Sequence, residues 1–376
     1  MHNPLQVLKH YWGYDGFRPG QAEVIDSILS GHDTLALMPT GGGKSITFQV
    51  PALANPGICL VVSPLVALMK DQVKNLQKRG ILSAFISSEM PHWEILQQLD
   101  NCILGDYKFL YISPERISSE LFQEKLKTLS RKVNLLVVDE AHCISQWGND
   151  FRRDYRLIAD IRDVIPHVQV IAVTASATAA VVADICEQLH FRKGYRIFKT
   201  SFERKNLSFV VRKTDNKLKE ICHILSAVPG SAVIYSRTRK GVEEYAGKLR
   251  AAGISAEYFH AGLDPVLKTE RQADWVKGFT RVLVATNAFG MGIDKGDVRV
   301  VIHTEFPDSM EAYYQEAGRA GRDGKRAYAV ALLGPQDITD IKRRPSNAFP
   351  TIEYIKRVYE ALCNRFQIAE GDGEGV

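Results

Sequence analysis

The chain has 376 residues, of which 45% are hydrophobic and 24% are charged, a composition typical of a globular protein with room for two domains. No stretch approaches 18 uninterrupted apolar residues, and the N-terminus lacks a basic patch followed by an apolar run. The sequence therefore predicts neither a membrane span nor a secretory signal. The net charge of +5 permits a polyanionic partner without requiring one.

Six cysteines are scattered along the chain, and none forms a Cys-x-x-Cys pair. A structural zinc site usually takes four ligands at short spacings, and secreted disulfide frameworks are dense in cysteine. We therefore expect no zinc, no disulfide framework and a cytoplasmic location. Cys59, Cys102 and Cys186 have apolar neighbours that predict packing in the core.

Short apolar runs, most of them followed by a polar loop and a helix-like stretch, predict a parallel α/β sheet covered on both faces. In the first half of the chain they are 33–37, 58–62, 108–112, 135–138 and 168–173. A second series, which predicts a second sheet of the same kind, is 231–235, 255–259, 282–285, 298–303 and 327–332. The polar segment 201–207 separates the two series, so we predict lobes at 1–205 and 206–337 with a cleft between them.

The sequence after residue 337 predicts a helical tail, with the clearest helical pattern at 352–365. The last residues read Glu-Gly-Asp-Gly-Glu-Gly-Val. Such an acidic, glycine-rich end is typical of a linker, or of a cut made before a further segment. We therefore predict a third region, 338–376, that is a short helical tail or linker.

Residues 38–45 read Met-Pro-Thr-Gly-Gly-Gly-Lys-Ser and follow the first predicted strand, as a phosphate-binding loop does. Met38 replaces the first glycine of the usual pattern. The remaining glycines permit backbone N–H groups to approach phosphate, Lys44 would neutralise its charge, and Ser45 would hold Mg²⁺. A glycine-rich turn that only caps a helix is the alternative. The predicted nucleotide-binding residues here are Thr40, Gly41, Gly42, Gly43, Lys44 and Ser45.

An acidic pair, Asp139-Glu140, follows the apolar run 135–138. Both carboxylates should therefore lie at the carboxyl end of a buried strand, where ligands bind in open α/β sheets. We predict that Asp139 holds Mg²⁺, directly or through water, and that Glu140 is the base or orients the attacking water. An exposed acidic turn is the alternative. Together with the loop at 38–45, the pair predicts hydrolysis of a nucleoside triphosphate.

Two arginines, Arg319 and Arg322, lie three residues apart in the second predicted lobe. Their spacing predicts that they share one face of a helix. One of them could reach across the cleft as an arginine finger, which contributes roughly 10³–10⁵ in rate in enzymes that use one. A solvated basic helix is the alternative.

The order of these motifs resembles that of superfamily 2 helicases, and most closely that of the RecQ family of DNA helicases. The other segments that carry the resemblance are 17–21, 174–178, 233–237 and 284–295. The resemblance implies two RecA-like lobes with ATP and Mg²⁺ bound between them. It also implies that Gln21 reads the adenine, that Tyr14 and Arg18 sandwich the ring, and that Asp294 belongs to the nucleotide site.

Residues 143–152 resemble the aromatic-rich loop with which the RecQ family senses single-stranded DNA. Trp147 and Phe151 could stack on bases, each contact being worth roughly 1–3 kcal/mol, and Arg152 could hold a phosphate. A packed core position is the alternative for Trp147. Asn149 stands where the family usually has a histidine, so we expect the coupling between DNA and ATP to differ here.

The resemblance also implies contacts from both lobes to the backbone of a DNA strand. The residues concerned are Ser63 and Arg116 in the first lobe, and Arg237, His260 and Thr286 in the second. As a lone histidine, His260 could equally be a structural residue.

The resemblance implies an ATP-dependent DNA helicase that translocates 3′–5′ on single-stranded DNA and unwinds duplexes. We expect a monomer that acts on single-stranded and forked DNA, with no membrane partner. One alternative is an RNA helicase of the related acidic-box families, which share the ATP motifs but not the aromatic-rich loop. Another is a nucleic-acid-binding scaffold that hydrolyses ATP weakly.

Overall fold

The computed structural model describes residues 3–39, 41–146, 151–175, 177–201, 203–289, 295–348 and 351–366. Its first sheet contains β1 (Thr34–Leu37), β2 (Ile58–Val62), β3 (Ser83–Ile86), β4 (Phe109–Ile112), β5 (Val133–Asp139), β6 (Val170–Thr174) and β7 (Arg196–Lys199). The strands lie in the order β3-β4-β2-β5-β6-β1-β7, and all neighbours run parallel.

The second half of the chain forms a separate parallel sheet. It contains β8 (Leu207–Lys213), β9 (Ser231–Tyr235), β10 (Ala256–Phe259), β11 (Val282–Ala285), β12 (Val298–His303) and β13 (Ala327–Leu333). The strand order is β10-β11-β9-β12-β13-β8, again with parallel neighbours. The predicted α/β class with two helix-covered parallel sheets is therefore confirmed.

Helices connect the parallel strands and cover the sheets. In the first lobe these are α1 (Pro4–Trp12), α2 (Gln21–Leu29), α3 (Lys44–Ala54), α4 (Val66–Gln77), α5 (His92–Leu104), α6 (Glu120–Leu129), α7 (Ile158–Val164) and α8 (Ala179–Gln188). After them come α9 (Lys217–Ala227), α10 (Arg239–Ala251), α11 (Pro265–Lys277), α12 (Met310–Ala317), α13 (Asp337–Ala348) and α14 (Ile352–Phe366).

Each sheet separates two hydrophobic cores. Along β1, Leu35 and Leu37 belong to one core and Ala36 to the other, because successive side chains of a strand point to opposite faces. With both faces buried, the central strands are mostly apolar, and their polar residues, such as Thr34, Ser231 and His303, stand at the strand ends. Charged and polar groups therefore collect beyond the strand ends, where the candidate site lies.

Three strands were not predicted from the sequence, and each lies at an edge of its sheet: β3, β7 and β8. An edge strand has a neighbour on one side only, so it needs no uninterrupted apolar run. Most residues of β7 are exposed, and β8 alternates between exposed and more buried positions before ending in three exposed residues. The sequence of β7, Arg-Ile-Phe-Lys, accordingly lacks the pattern of the central strands.

The chain crosses between the two sheets through residues 200–206. Thr200 is still attached to the first sheet, because its N–H and its hydroxyl donate to the carbonyl of Leu37 at 3.0 and 3.2 Å. Arg204 instead donates to backbone carbonyls of the second lobe. The predicted linker overlaps this crossing and ends where β8 begins.

The tail after the second sheet is helical, and the pattern at 352–365 corresponds to α14. Its neighbour α13 is anchored to the second lobe at two points. Lys217 Nζ lies 2.7 Å from Asp337 Oδ2, and Arg344 donates to the carbonyl of Phe306 at 2.7 Å. Over residues 337–348 and 352–366, the predicted helical tail is thus confirmed.

Cys59, Cys102 and Cys186 are buried, as their apolar neighbours predict, and all six thiols are free. Within the described ranges, no group of three or more His, Cys, Asp or Glu side chains could hold a metal ion. None of the helices described is long and apolar enough to cross a membrane.

Candidate active site

A cavity of about 930 Å³ is lined by residues of both lobes. The first lobe contributes the glycine-rich loop after β1 and the acidic pair at the end of β5. The second lobe contributes the turn that carries the two arginines predicted from the sequence. The structure thus brings together Gly41, Gly43, Lys44, Ser45, Asp139, Glu140, Arg319 and Arg322.

The glycine-rich loop leaves no room for larger residues. Gly43 precedes α3 in the left-handed conformation, with φ 77°, and a Cβ added to it would lie 2.4 Å from Nε2 of Gln21. A Cβ on Gly42 would lie 2.9 Å from the carbonyl oxygen of Pro39. Glycine is needed at both positions, and α3 begins directly afterwards at Lys44. Its N-terminus therefore faces the glycine-rich loop, and the binding of an anion there stays a prediction.

Two of the three residues predicted to recognise adenine are hydrogen-bonded to this loop. Gln21 accepts a hydrogen bond from the N–H of Arg18 at 2.8 Å and donates to the carbonyl of Gly43 at 3.0 Å. The guanidinium of Arg18 donates to the carbonyl of Gly41 at 2.7 Å. Tyr14 is half exposed and lines the same cavity. Gln21 and Arg18 are therefore next to the glycine-rich loop, Tyr14 lines the same cavity, and contact of the three with a base stays a prediction.

The acidic pair faces Lys44. Oε1 of Glu140 lies 3.5 Å from Nζ of Lys44, and the N–H of Glu140 donates to Asp139 Oδ1 at 3.0 Å. Burial, reinforced by the negative charge of Glu140, raises the pKa of Asp139 to about 6, although Lys44 acts in the opposite direction. A divalent cation would offset this partly buried negative charge, and carboxylate oxygens are ligands that Mg²⁺ prefers. The residues present therefore fit Mg²⁺ bound together with ATP.

Glu140 has a strained backbone, with φ 46° in the left-handed region that non-glycine residues rarely adopt. Its Oε2 is buried without a hydrogen-bond partner among the residues that the structure describes, and lies 3.5 Å from Nδ1 of His142. Nδ1 of His142 is in turn 2.9 Å from the hydroxyl of Thr174. A fixed carboxylate oxygen of this kind can orient a water molecule, as predicted for Glu140.

The prediction that Arg319 and Arg322 share a helical face is wrong. Helix α12 ends at Ala317, and both arginines lie in the turn that follows. Gly321 within that turn has φ 63°, which no regular helix contains. The turn still brings the second lobe to the phosphate loop, since a Cβ on Gly41 would lie 3.2 Å from Cγ of Arg322.

Two residues predicted to contact DNA in the first lobe have other partners. Ser63 is buried and its hydroxyl donates to Asp139 Oδ2 at 3.4 Å, so it lies beside the acidic pair and not on an exposed surface. The guanidinium of Arg116 donates to three carbonyls, those of Ser87 (2.9 Å), Ser88 (3.1 Å) and Met90 (3.2 Å). It therefore fixes the loop after β3.

The described end of the aromatic-rich loop is attached to the first lobe. Arg152 donates to the carbonyl of Pro64 at 3.0 Å and lies 3.8 Å from a carboxylate oxygen of Glu115. Phe151 is 38% exposed, and the guanidinium of Arg156 lies 5.3 Å from the centre of its ring. Phe151 is thus accessible for stacking, which stays a prediction. The predicted residues Thr40, Trp147, Asn149 and Asp294 lie outside the described residues.

The predicted DNA contacts of the second lobe follow neighbouring strands at the carboxyl edge of its sheet: His260 after β10, Thr286 after β11 and Arg237 after β9. His260 and Thr286 are buried, and Nε2 of His260 lies 3.0 Å from Glu243. Arg237 is more accessible and is paired with Asp308 at 2.6 Å. The structure brings the three together along one edge, and their contact with a strand stays a prediction.

Two residues near the site were not predicted from the sequence: Arg204 and Asn206 bind the turn that carries the two arginines. Both lie in the segment 201–207, which was interpreted only as a linker. An arginine and an asparagine in a connection between lobes could have indicated this role, because both side chains can donate hydrogen bonds to backbone carbonyls.

Models of two protein families match the chain. One, described as DEAD/DEAH box helicase, matches residues 18–185, and the other, described as Helicase conserved C-terminal domain, matches residues 216–324. The ATP-dependent DNA helicase RecQ of Bacillus subtilis is 43% identical over 341 residues, which cover 90% of this chain and 57% of that protein. The probable ATP-dependent DNA helicase RecS of the same organism is 40% identical over 337 residues, which cover 88% of this chain and 67% of that protein.

The chain belongs to the RecQ family of superfamily 2 helicases. It spans a little over half the length of the Bacillus subtilis RecQ. Among solved structures, the helicase Lhr of Mycobacterium smegmatis, bound to single-stranded DNA and AMP-PNP, superposes with a TM-score of 0.71 at 20% identity. That match covers 90% of this chain and 49% of Lhr, and at this identity it shows the fold alone. The two sheets are thus the RecA-like lobes that the RecQ resemblance implied.

Proposed function

We propose that this chain is an ATP-dependent DNA helicase, which couples hydrolysis of Mg-ATP to 3′–5′ translocation on single-stranded DNA and to duplex unwinding. The observation that carries the proposal is the cavity shared by the phosphate loop, the acidic pair and the arginines of the other lobe. Membership of the RecQ family supports DNA as the substrate, and the direction of movement rests on the family resemblance.

In this proposal the reaction depends on positioning and charge. The loop amides and Lys44 hold the phosphates. Bound Mg²⁺, held by Ser45 and Asp139, would neutralise charge on the phosphates. Glu140 orients the attacking water and accepts its proton. Arg322, together with the neighbouring arginine of the same turn, stabilises the negative charge of the transferred phosphoryl group from the second lobe.

The two lobes have different tasks in the proposed cycle. The segment 1–205 holds the nucleotide, 206–337 supplies the arginines, and 338–376 is a tail. Because ATP would bind both lobes at once, ATP binding favours a closed cleft and hydrolysis weakens it. A strand held along the carboxyl edges of both sheets would then be moved stepwise. We propose single-stranded and forked DNA as partners of a monomer, in the cytoplasm.

The proposed function is tested by steady-state ATP hydrolysis without nucleic acid, with single-stranded DNA and with single-stranded RNA. We expect strong stimulation by DNA and weak stimulation by RNA. Equal or stronger stimulation by RNA would favour the RNA helicase, and slow hydrolysis under all three conditions would favour the scaffold. Unwinding of 3′-tailed, 5′-tailed and forked duplexes tests direction, since a 3′–5′ enzyme opens the first and third but not the second.

A further inference from the structure

Arg204 lies in the crossing between the sheets and binds the turn that carries the second-lobe arginines. Its Nη2 donates to the carbonyls of Ala320 at 2.9 Å and Gly321 at 2.7 Å. Arg322 follows directly in the chain. A planar guanidinium can hold two carbonyls at once in a fixed geometry, so this contact defines the position of the turn.

Asn206, also in the crossing, binds the same turn. Its Nδ2 donates to the carbonyls of Gly321 at 2.7 Å and Lys325 at 2.9 Å. A Cβ on Gly321 would lie only 2.6 Å from this nitrogen, so the crossing and the turn are in close contact. The crossing is therefore fixed to the second lobe at three backbone carbonyls, those of Ala320, Gly321 and Lys325.

Arg204 also approaches the first lobe. A Cβ on Gly41 would lie 3.7 Å from its Nη1, and the guanidinium of Arg18 is attached to the carbonyl of the same glycine. These arginines and Arg322 line one pocket of about 370 Å³ beside the phosphate loop. Burial lowers the pKa of Arg204, the positive charge of Arg18 lowers it further, and Tyr314 acts in the opposite direction. Negative charge arriving at the loop would therefore stabilise this arrangement.

We propose that Arg204 is a positioning residue for ATP hydrolysis, which fixes the turn bearing Arg322 against the phosphate loop. The inference rests on the proposed function, because it assigns a role within that reaction. A displacement of about 1 Å at a reacting group can cost about 10²-fold in rate. Removal of the guanidinium should therefore lower turnover, while the first-lobe groups that bind ATP stay in place.

The test compares Arg204→Ala with Lys205→Ala, which removes the same charge from the exposed neighbouring position. Both kcat and KM for ATP are measured with saturating single-stranded DNA. For Arg204→Ala we expect kcat to fall about tenfold to hundredfold and KM to change by less than about threefold. Lys205→Ala should stay within about twofold of the wild type. An unchanged kcat in Arg204→Ala would overturn the proposal.

The double variant Arg204→Ala/Arg322→Ala separates positioning from a merely structural role. If Arg204 acts through Arg322, the double variant should be about as slow as Arg322→Ala alone. Single-turnover reactions with enzyme in excess make such slow rates measurable. If the two losses multiply instead, Arg204 acts independently of Arg322 and the proposal is wrong.

A second variant keeps the test decisive if Arg204→Ala does not fold. Arg204→Lys retains the charge but not the planar fork, so kcat should still fall at least about fivefold. Wild-type kcat in Arg204→Lys would contradict the proposal. If the wild-type chain itself does not hydrolyse ATP, the proposed function fails and this inference fails with it. An active wild type with an equally active Arg204→Ala contradicts this inference alone.

Discussion

At the scale of single residues, Asp139 has the most unfavourable charge in the described site. Its pKa is raised to about 6, mainly by burial and then by Glu140, against an unfolded value of 3.8. A carboxyl group with a raised pKa favours the fold in its protonated form. The contribution of the protonated Asp139 carboxyl to the free energy of unfolding is fully present below about pH 4, and it is lost as the pH rises to about 6. The negative charge at neutral pH is therefore maintained at the expense of stability.

Replacing this carboxylate should stabilise the free protein. Above pH 6 we expect the free energy of unfolding of Asp139→Asn to exceed that of the wild type by about 1–3 kcal/mol, because the partly buried charge is removed. The difference should shrink as the pH falls toward 4. Urea unfolding at several pH values, without nucleotide or metal, measures it. Asp160→Asn, at an exposed position of α7, is the control, and an equal gain at all pH values would contradict the assignment.

Lys44 is the residue on which the phosphate assignment depends. We expect Lys44→Ala to abolish ATP hydrolysis, because charge neutralisation and positioning supply most of the catalysis in phosphoryl transfer. Glu140→Gln should retain ATP binding with little turnover. Lys127→Ala, at an exposed position in the last turn of α6, is the control for loss of a positive charge. If Lys44→Ala keeps about a third of the wild-type rate, the phosphate loop is not the site of hydrolysis.

At the scale of elements, a buried carboxylate joins the start of β1 to its surroundings. Oδ1 of Asp33 accepts from the N–H of Val170 at 2.9 Å, at the start of β6. Arg162 of α7 and Arg192, which follows α8, donate to the same carboxylate. Burial alone would raise the pKa of Asp33, but the hydrogen bonds from Arg192 and Arg162 outweigh it, so the pKa is lowered.

Loss of this carboxylate should destabilise the first lobe. We expect Asp33→Ala to lower the free energy of unfolding by about 3–5 kcal/mol, because buried Arg162 would lose its counter-charge. The wild-type contribution is present above pH 3.8 and is lost as the pH falls through the lowered pKa. Denaturant unfolding at neutral pH measures the loss. Asp106→Ala, in an exposed loop position, is the control, and equal losses would show that the network is not stabilising.

The elements that could be predicted from the sequence are those with a continuous apolar run. β2, β9, β11 and β12 have the bounds expected from their residues, because buried central strands show no competing pattern. β7 was missed because an edge strand can carry charged residues. The predicted helical face for Arg319 failed because residue spacing does not show where a helix ends, and α12 ends at Ala317, before both arginines.

The sequence predicts which residues form the candidate site better than it predicts which atoms those residues contact. The phosphate loop and the acidic pair meet because both follow strands of one parallel sheet. The sequence does not show, however, which groups a side chain will hydrogen-bond in the folded protein. The resemblance implies that Arg116 contacts the backbone of a DNA strand, whereas in the structure it donates to loop carbonyls. Arg204 could not be found for the same reason, since its partners are backbone groups far away in the sequence.

At the scale of the whole molecule, different functions are proposed for the amino and carboxyl ends of the strands in the second sheet. The arginine-bearing turn is near the beginning of β12, where the N–H of Gly321 donates to the carbonyl of Val298 at 2.9 Å. The predicted DNA contacts follow the carboxyl ends of its strands. Chemistry and strand binding are thus proposed at opposite ends of this lobe, and movement of the lobe as a unit would connect them.

Strand binding should depend strongly on salt. For single-stranded DNA, the logarithm of the affinity should fall with the logarithm of the salt concentration, with a slope of about −0.7 for each phosphate contacted. We expect Arg237→Ala to reduce the magnitude of this slope by about 0.7, because its guanidinium is accessible beside Asp308. Fluorescence anisotropy with a labelled oligonucleotide measures the slope.

The control for this measurement is Arg131→Ala, an exposed position just before β5 and therefore at the opposite edge of the first sheet. It should leave the slope unchanged. Equal reductions in both variants would mean that the effect reflects net charge, and an unchanged slope in Arg237→Ala would mean that this arginine does not contact a phosphate.

The two anchored ends of the crossing set a limit on how far the lobes can separate. Thr200 is fixed to β1 and Arg204 to the arginine-bearing turn, so the tether between them spans at most about 14 Å when fully extended. So short a tether keeps the second lobe at an effective concentration on the order of millimolar or higher beside the phosphate loop. Reclosure after each turnover is then an intramolecular collision, and its rate should not depend on protein concentration.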